Sequence, residues 1–295
     1  MKTARDIAVE EEPAEYRYPD FICIGTQKAG TTWLDRNLRR HPKIWLPPVK
    51  EMHYFNHVHI PASRTWTEHH RKEKGAGAFQ RYLKKVPEAD RDARTMARMA
   101  DIVAGPVSDD WYGRIFALAG PGQICGEITP DYCILPEEGI QHILKLAPAV
   151  RIVLALRDPI ARSWSQMRMS LNGRNADKLG SPEMLARNRE IFARSNYPAI
   201  LARWRKFVPE DRFLVFFMDD IAAEPQALLE RVCTFLGVPY RDKIFRRADN
   251  PVHVGEAQPI PEAVLAVLKE NLRPTYDGLM GLYPEIAARW AEKYY

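Results

Sequence analysis

Residues 21–33, Phe-Ile-Cys-Ile-Gly-Thr-Gln-Lys-Ala-Gly-Thr-Thr-Trp, constrain the fold of this chain more than any other stretch. Phe21 to Ile24 form an unbroken apolar run, the pattern of a strand buried on both faces. A loop bounded by Gly25 and Gly30 follows, and then a helical stretch over about residues 31–40 with Trp33, Leu34 and Leu38 on one side. Strand, glycine-bounded loop and helix in succession turn backbone N–H groups and a helix N-terminus toward one point. That point attracts an anion, most often a phosphate. An ordinary strand-to-helix turn has the same outline, so the loop alone does not decide the chemistry.

The loop departs from an NTPase phosphate loop in one informative place. That loop carries a lysine directly after its second glycine, where it reaches the terminal phosphates. Here Thr31 stands there, and the lysine, Lys28, lies inside the loop. The run Thr26-Gln27-Lys28-Ala29-Gly30-Thr31-Thr32-Trp33-Leu34 resembles the loop by which sulfotransferases using 3'-phosphoadenylyl sulfate (PAPS) hold the 5'-phosphosulfate. The resemblance implies a cradle made by Lys28, Ala29, Gly30, Thr31, Thr32 and Trp33. It also implies that Lys28 neutralises charge on the leaving oxygen.

A second stretch resembles the same family. Arg151 to Leu156 is the most apolar strand and must be central. It leads into Arg157-Asp158-Pro159-Ile160-Ala161-Arg162-Ser163-Trp164-Ser165, which matches the family's 3'-phosphate motif R-D-P-x-x-R-x-x-S. Asp158 suits a helix N-cap and Pro159 the first helical turn. The motif implies that Arg157, a forked and permanently charged donor, and Ser165, a hydroxyl donor, hold the 3'-phosphate. Arg162 reads as solvent-facing or ion-paired.

Lys50-Glu51-Met52-His53-Tyr54-Phe55-Asn56 resembles the K-E-P-H-[YF]-F-[DN] run of heparan-sulfate-type and related bacterial sulfotransferases, with Met52 in place of proline. The family's catalytic base maps onto Glu51, and His53 is the second candidate. Either group can take the acceptor's proton as the new bond to sulfur forms. His57 and His59 extend a histidine run that invites a metal reading. No cysteine or carboxylate set completes such a site in the sequence, so no metal is expected.

Gly126-Glu127-Ile128-Thr129-Pro130-Asp131-Tyr132 resembles the family's G-E-[KAST]-[ST]-P-x-Y, with Glu127 and Tyr132 read as a buried hydrogen-bonded pair. It departs at Ile128. Many glycan 3-O-sulfotransferases carry a lysine after the glutamate, so its absence argues for a different or less anionic acceptor. The strand at 212–217, the helix at 225–236 and Phe235-Leu236-Gly237-Val238-Pro239 also resemble the family's C-terminal half. Arg246 and Arg247 lie where many relatives place a basic loop over the nucleotide, though the K-G-R text is missing, and Arg246 is the candidate there.

Of the 295 residues, 46% are apolar and 27% charged, with net charge +5. That mild basicity suits an anionic cofactor or substrate and gives no footing for nucleic acid. No stretch approaches the roughly 18 apolar residues of a membrane helix, and the N-terminus lacks a secretory apolar region. Cys23, Cys125, Cys133 and Cys233 form no C-x-x-C pair and read as reduced core residues of a cytoplasmic protein.

Together these readings predict an irregular leader over residues 1–19 and one domain over 20–295. Its fold class is α/β, a P-loop NTPase-like three-layer sandwich with a central, mostly parallel five-stranded sheet. Residues 57–110 and 171–196 read as acceptor-side inserts; within them 68–75 reads as a charged loop and 172–194 as a polar cover. The resemblance implies a bacterial enzyme that moves a sulfuryl group from PAPS, leaving PAP, to a hydroxyl or amine of a small-molecule or glycan acceptor. Two alternatives stay open: a P-loop kinase acting on a small molecule, and a PAP-binding module without catalysis. The acceptor and the oligomeric state are not legible.

Overall fold

In the computed structural model the strands β1 (Phe21–Gly25), β2 (Ile44–Trp45), β3 (Ile124–Ile128), β4 (Arg151–Leu156) and β5 (Phe213–Phe217) form one sheet in the order β2-β3-β1-β4-β5. Residues 16–171, 184, 186, 188–250 and 258–295 are described. Every pairing in the sheet is parallel. Helices join the strands in chain order. These are α1 (Thr31–Leu38), α2 (Tyr54–His59), α3 (Arg64–Lys85), α4 (Ala93–Ala104), α5 (Asp109–Phe116), α6 (Glu137–Leu146) and α7 (Pro159–Leu171). After them come α8 (Arg189–Ser195), α9 (Tyr197–Arg205), α10 (Met218–Ala223), α11 (Pro225–Leu236), α12 (Asp242–Phe245), α13 (Glu262–Met280) and α14 (Pro284–Ala291).

The apolar strands are apolar throughout because the sheet is covered on both sides. Along β1 and β4, Ile22, Ile24, Ile152, Leu154 and Leu156 point into one core, packed with residues of α5, α6, α9 and α13. Phe21, Cys23, Val153 and Ala155 alternate with them into a second core, shared with α1 and α11. Each fully buried aliphatic side chain contributes about 1.5–3 kcal/mol, so both faces favour this placement. The expected three-layer sandwich is what forms. All four cysteines are free and buried.

Several expectations shift. Residues 68–75 are not a loop but part of α3. The charge run is the solvent side of a helix whose other side buries Thr67, Arg71, Gly75 and Ala78, spaced one helical turn apart. A Cβ on Gly75 would stand 3.0 Å from Val103 and 3.1 Å from Ile102, so the glycine lets α4 approach closely. Residues 1–15 of the expected leader lie outside the described residues. Within it Arg17 is tied down by a hydrogen bond from its N–H to Gly113 O, and just beyond it the Asp20 N–H donates to Cys125 O. Of the expected 172–194 cover, residues 172–183, 185 and 187 also lie outside the description.

Candidate active site

The candidate residues arrive from the carboxyl ends of neighbouring parallel strands. β3 lies on one side of β1 and β4 on the other, and a crevice at such a divergence is where open α/β sheets take ligands. Lys28 leaves β1, Lys50 to His53 follow β2, Asp131 follows β3 and Arg157 follows β4. The β2 loop is fastened to this edge by the Glu51 N–H, which donates to Ile128 O at 3.2 Å.

The loop after β1 is held open by its surroundings. Thr26 donates twice to Ala155 O, from its N–H at 2.7 Å and its hydroxyl at 3.0 Å. The carbonyls of Gln27 and Lys28 accept from Arg162 at 3.5 Å and Arg157 at 3.1 Å. Gly30 caps α1 at φ 90°, a left-handed conformation that suits glycine. The first turn of α1, with Thr31 and Thr32, presents N–H groups the helix itself leaves unpaired. Burial, and then the charges of Arg157 and Arg168, hold the Lys28 ammonium below its ordinary pKa. Crowded cations around unpaired N–H groups favour an anionic ligand.

Among the described residues, the non-glycine residues at positive φ are Lys28 (71°), Glu51 (64°) and His53 (53°). Each holds a conformation costing on the order of 1–2 kcal/mol. Strain of this kind collects where a side chain must be aimed, and here it falls on the three candidates for catalysis.

Glu51 Oε1 accepts from Lys50 Nζ at 2.6 Å, and the same ammonium lies 3.5 Å from the Thr32 hydroxyl. Lys50 thereby connects the start of α1 to Glu51. The sequence showed it only as a charge partner, although its place beside Glu51 in the motif was a signal. Burial works to raise the Glu51 pKa, but His53 and Lys50 outweigh it and hold the carboxyl at about 2. For His53 burial works downward, and interaction with Glu51 and Asp131 overcomes it, so its pKa is raised. His53 is 2% exposed and the Glu51 side chain 26%. His53 Nδ1 lies 3.1 Å from Asn56 Oδ1, and Asn56 Nδ2 donates to Asp131 O at 3.2 Å. Asp131 in turn pairs with Arg194 at 2.8 Å.

On the other side of the loop is a cavity of about 750 Å³, lined among others by Gly30, Trp33, Met218, Ile221, Ala248 and Asn250. Its size is that of a small-molecule site. Trp33 is 4% exposed and its indole N–H donates to Ala248 O at 2.7 Å, so it packs and lines the cavity at once. Ala29 is buried under the loop. Ser165 stands partly exposed on α7, and Arg246 is exposed two residues before Ala248.

Arg162 is neither solvent-facing nor ion-paired: it is 0% exposed. Its guanidinium donates to Ser195 Oγ at 2.6 Å, Gln166 Oε1 at 2.7 Å and Ile191 O at 2.7 Å. Burial lowers its pKa to about 10, so it stays charged. It ties α7 and α8 to the loop after β1, because α8 folds over a face of α7 that the local sequence leaves open. Asp158 caps α7 as expected, accepting from the N–H groups of Ile160 and Ala161 at 3.0 Å.

The histidine run does not converge. His57 Nδ1 meets Thr67 at 3.1 Å, while His59 meets His142 at 2.9 Å. The histidine that does approach His53 is His70, from α3, with ring centres 5.0 Å apart; Trp66, half exposed, lies 4.7 Å from the same ring. No spacing in the sequence could have paired residues 53 and 70. Glu127 is buried, as read. Tyr112 donates to its Oε1 at 2.7 Å, Thr129 lies 3.2 Å from its Oε2, and burial pushes its pKa up to about 7.

A sulfotransferase family model matches residues 19–242. The chain is 28% identical over 153 residues to the membrane-associated sulfotransferase kil1 of Dictyostelium discoideum, across 52% of this chain and 23% of that protein. It is 29% identical over 234 residues to human heparan sulfate glucosamine 3-O-sulfotransferase 5, across 76% of this chain and 54% of that protein. The chain thus spans about a quarter of the first relative and about half of the second. Its fold is similar to that of a sulfotransferase from Alicyclobacillus acidocaldarius, with a TM-score of 0.56 and 23% identity, over 90% of this chain and 96% of that one.

Proposed function

The chain belongs to the sulfotransferase family, and from that premise we propose that it transfers a sulfuryl group from PAPS to a hydroxyl or amine of a small-molecule or glycan acceptor. The observation that carries this reading is the position of the phosphate loop. Gly30 and Trp33 border a nucleoside-sized cavity, while Thr32 reaches the Lys50–Glu51 pair. A ligand with an adenosine at one end and a reactive anion at the other fits that layout, and the surplus of cations at Lys28, Lys50 and Arg157 fits its charge.

PAPS supplies an activated sulfur–oxygen bond; the chain's residues do the rest. The first-turn N–H groups, with Thr31 and Thr32, hold the 5'-phosphosulfate. Lys28 and Lys50 stabilise the negative charge that grows on the leaving oxygen. The Arg157 fork and the Ser165 hydroxyl take the 3'-phosphate, and Arg246 closes over the nucleotide. Glu51 accepts the acceptor's proton. It is preferred to His53 because its carboxylate is a quarter exposed, whereas His53 is sealed from any incoming acceptor. His53 then orients Glu51. Ile128, 2% exposed, stands where the resembling glycan 3-O enzymes carry lysine, which favours an acceptor less anionic than heparan sulfate.

Calorimetric titration with PAP, beside ADP and ATP without metal, tests the reading. PAP should bind at least tenfold more tightly than ADP, a margin of about 1.4 kcal/mol, and Arg157→Ala should remove it. Equal affinity for PAP and ADP refutes the proposal.

A further inference from the structure

Glu51, His53 and His70 bring one ligand-capable atom each to within 4.8 Å of one another. What distinguishes the cluster is the state of those atoms. Asn56 Nδ2 is spent on Asp131 O, so Asn56 Oδ1 is an acceptor, and the His53 Nδ1 that faces it carries the proton. In the neutral ring His53 Nε2 then has the lone pair, and that nitrogen is buried without a hydrogen-bond partner. The other side of the His70 ring reaches the Lys50 main-chain carbonyl, and His70 Nε2 is likewise buried and unpartnered. Glu51 Oε1 is held by Lys50, while Oε2 lies 3.7 Å from His53 Nε2, beyond a hydrogen bond.

Two orphaned imidazole nitrogens in one place have each lost water without gaining a partner. A single ion satisfies both. Donor–zinc distances of about 2.0–2.1 Å at a tetrahedral angle set donor atoms about 3.3–3.4 Å apart, so the Glu51–His53 pair at 3.7 Å is near that spacing and His70 must move inward from within 4.8 Å. His53 already has its second nitrogen facing an oxygen acceptor, the outer-shell arrangement of metal-ligating histidines. Neither partner element is loose: α3 is anchored by Arg71 Nη1 donating to Ile102 O at 2.6 Å.

We propose that Glu51 Oε2, His53 Nε2 and His70 Nε2 bind one divalent transition-metal ion of the zinc type, leaving a fourth position open. Two imidazoles and one carboxylate select zinc-like ions over magnesium or calcium, the more so because Lys50 beside Glu51 opposes a weakly held cation. The ion occupies Glu51 Oε2, the carboxylate oxygen that Lys50 leaves free, so the metal-loaded form cannot take the acceptor's proton. Zinc is thus an inhibitor of transfer; this consequence, unlike the binding itself, rests on the function proposed above.

The test titrates the metal-free full chain with Zn²⁺ by calorimetry and with Co²⁺ by visible absorption. One equivalent should bind, and His70→Ala and His70→Gln, each checked for an unchanged melting temperature, should weaken it more than about a hundredfold. His59→Ala, at the separate His59–His142 pair, should bind as the wild type does. No stoichiometric binding, or binding that survives in both His70 variants, overturns the site. In a PAPS transfer assay Zn²⁺ should inhibit the wild type and spare His70→Ala; equal inhibition of both overturns the inhibitory role. A wild type that binds zinc but transfers nothing from PAPS supports the metal site and refutes the sulfuryl-transfer reading, so the two failures are separable.

Discussion

Glu127→Gln should remove a pH dependence of stability that the buried carboxyl creates. Glu127 is 2% exposed, and burial raises its pKa from 4.5 to about 7 against the opposing pull of the Tyr112, Tyr132 and Thr129 hydroxyls. Between these values the unfolded chain has released the proton and the folded chain still holds it. Stability is therefore full below about 4.5 and is lost as the pH rises to about 7, with no further change above. The shift of about 2.5 units, from 4.5 to about 7, corresponds to a ceiling of about 3 kcal/mol at 1.36 kcal/mol per unit. Relaxation around the ionised carboxylate trims this to about 2 kcal/mol. Glutamine keeps the shape and cannot ionise. Urea unfolding of both proteins across about pH 4.5–8 isolates the effect, because every other titrating group cancels in the difference. The wild type should lose about 2 kcal/mol relative to the variant across that window. A difference that stays flat, or runs the other way, refutes the reasoning and places Glu127 among ionised groups.

Two further outcomes follow from the site. Arg162→Met strands the acceptors on Ser195, Gln166 and Ile191 inside the protein. It should lower unfolding free energy by about 3 kcal/mol or more in urea titration, and a loss under about 1 kcal/mol contradicts the buried-anchor account. Glu51→Gln should cut turnover with PAPS by at least about a hundredfold while calorimetric PAP affinity stays within about threefold; retained turnover moves the proton acceptor elsewhere.

Local patterns in the chain determined the strands and the glycine-bounded loop after β1. The unbroken apolar runs at β1 and β4 can only belong to a sheet covered on both faces, and β4 lies where its residues indicated. Lys28, Glu51 and Arg157 were legible as candidates because each sits in a short local run that resembles a sulfotransferase motif. The charged run of α3 misled because charge alone does not distinguish a loop from the wet side of a helix; the buried Gly75 contact with α4 makes the difference.

Other features depend on which segments meet, and local sequence carries little of that. Arg162 is buried because α8 returns over α7, and α7 without that cover would leave it in water. The cavity draws its walls from Trp33, Ile221 and Ala248, three segments that come together only when the second core closes. His70 meets His53 because α3 is fixed along α4. A strand or helix is written in the period of its own residues, set by backbone geometry. The meeting of distant side chains is set by packing, which closes long loops only when the buried surface offsets the lost chain entropy, and so it was decided by the tertiary structure alone.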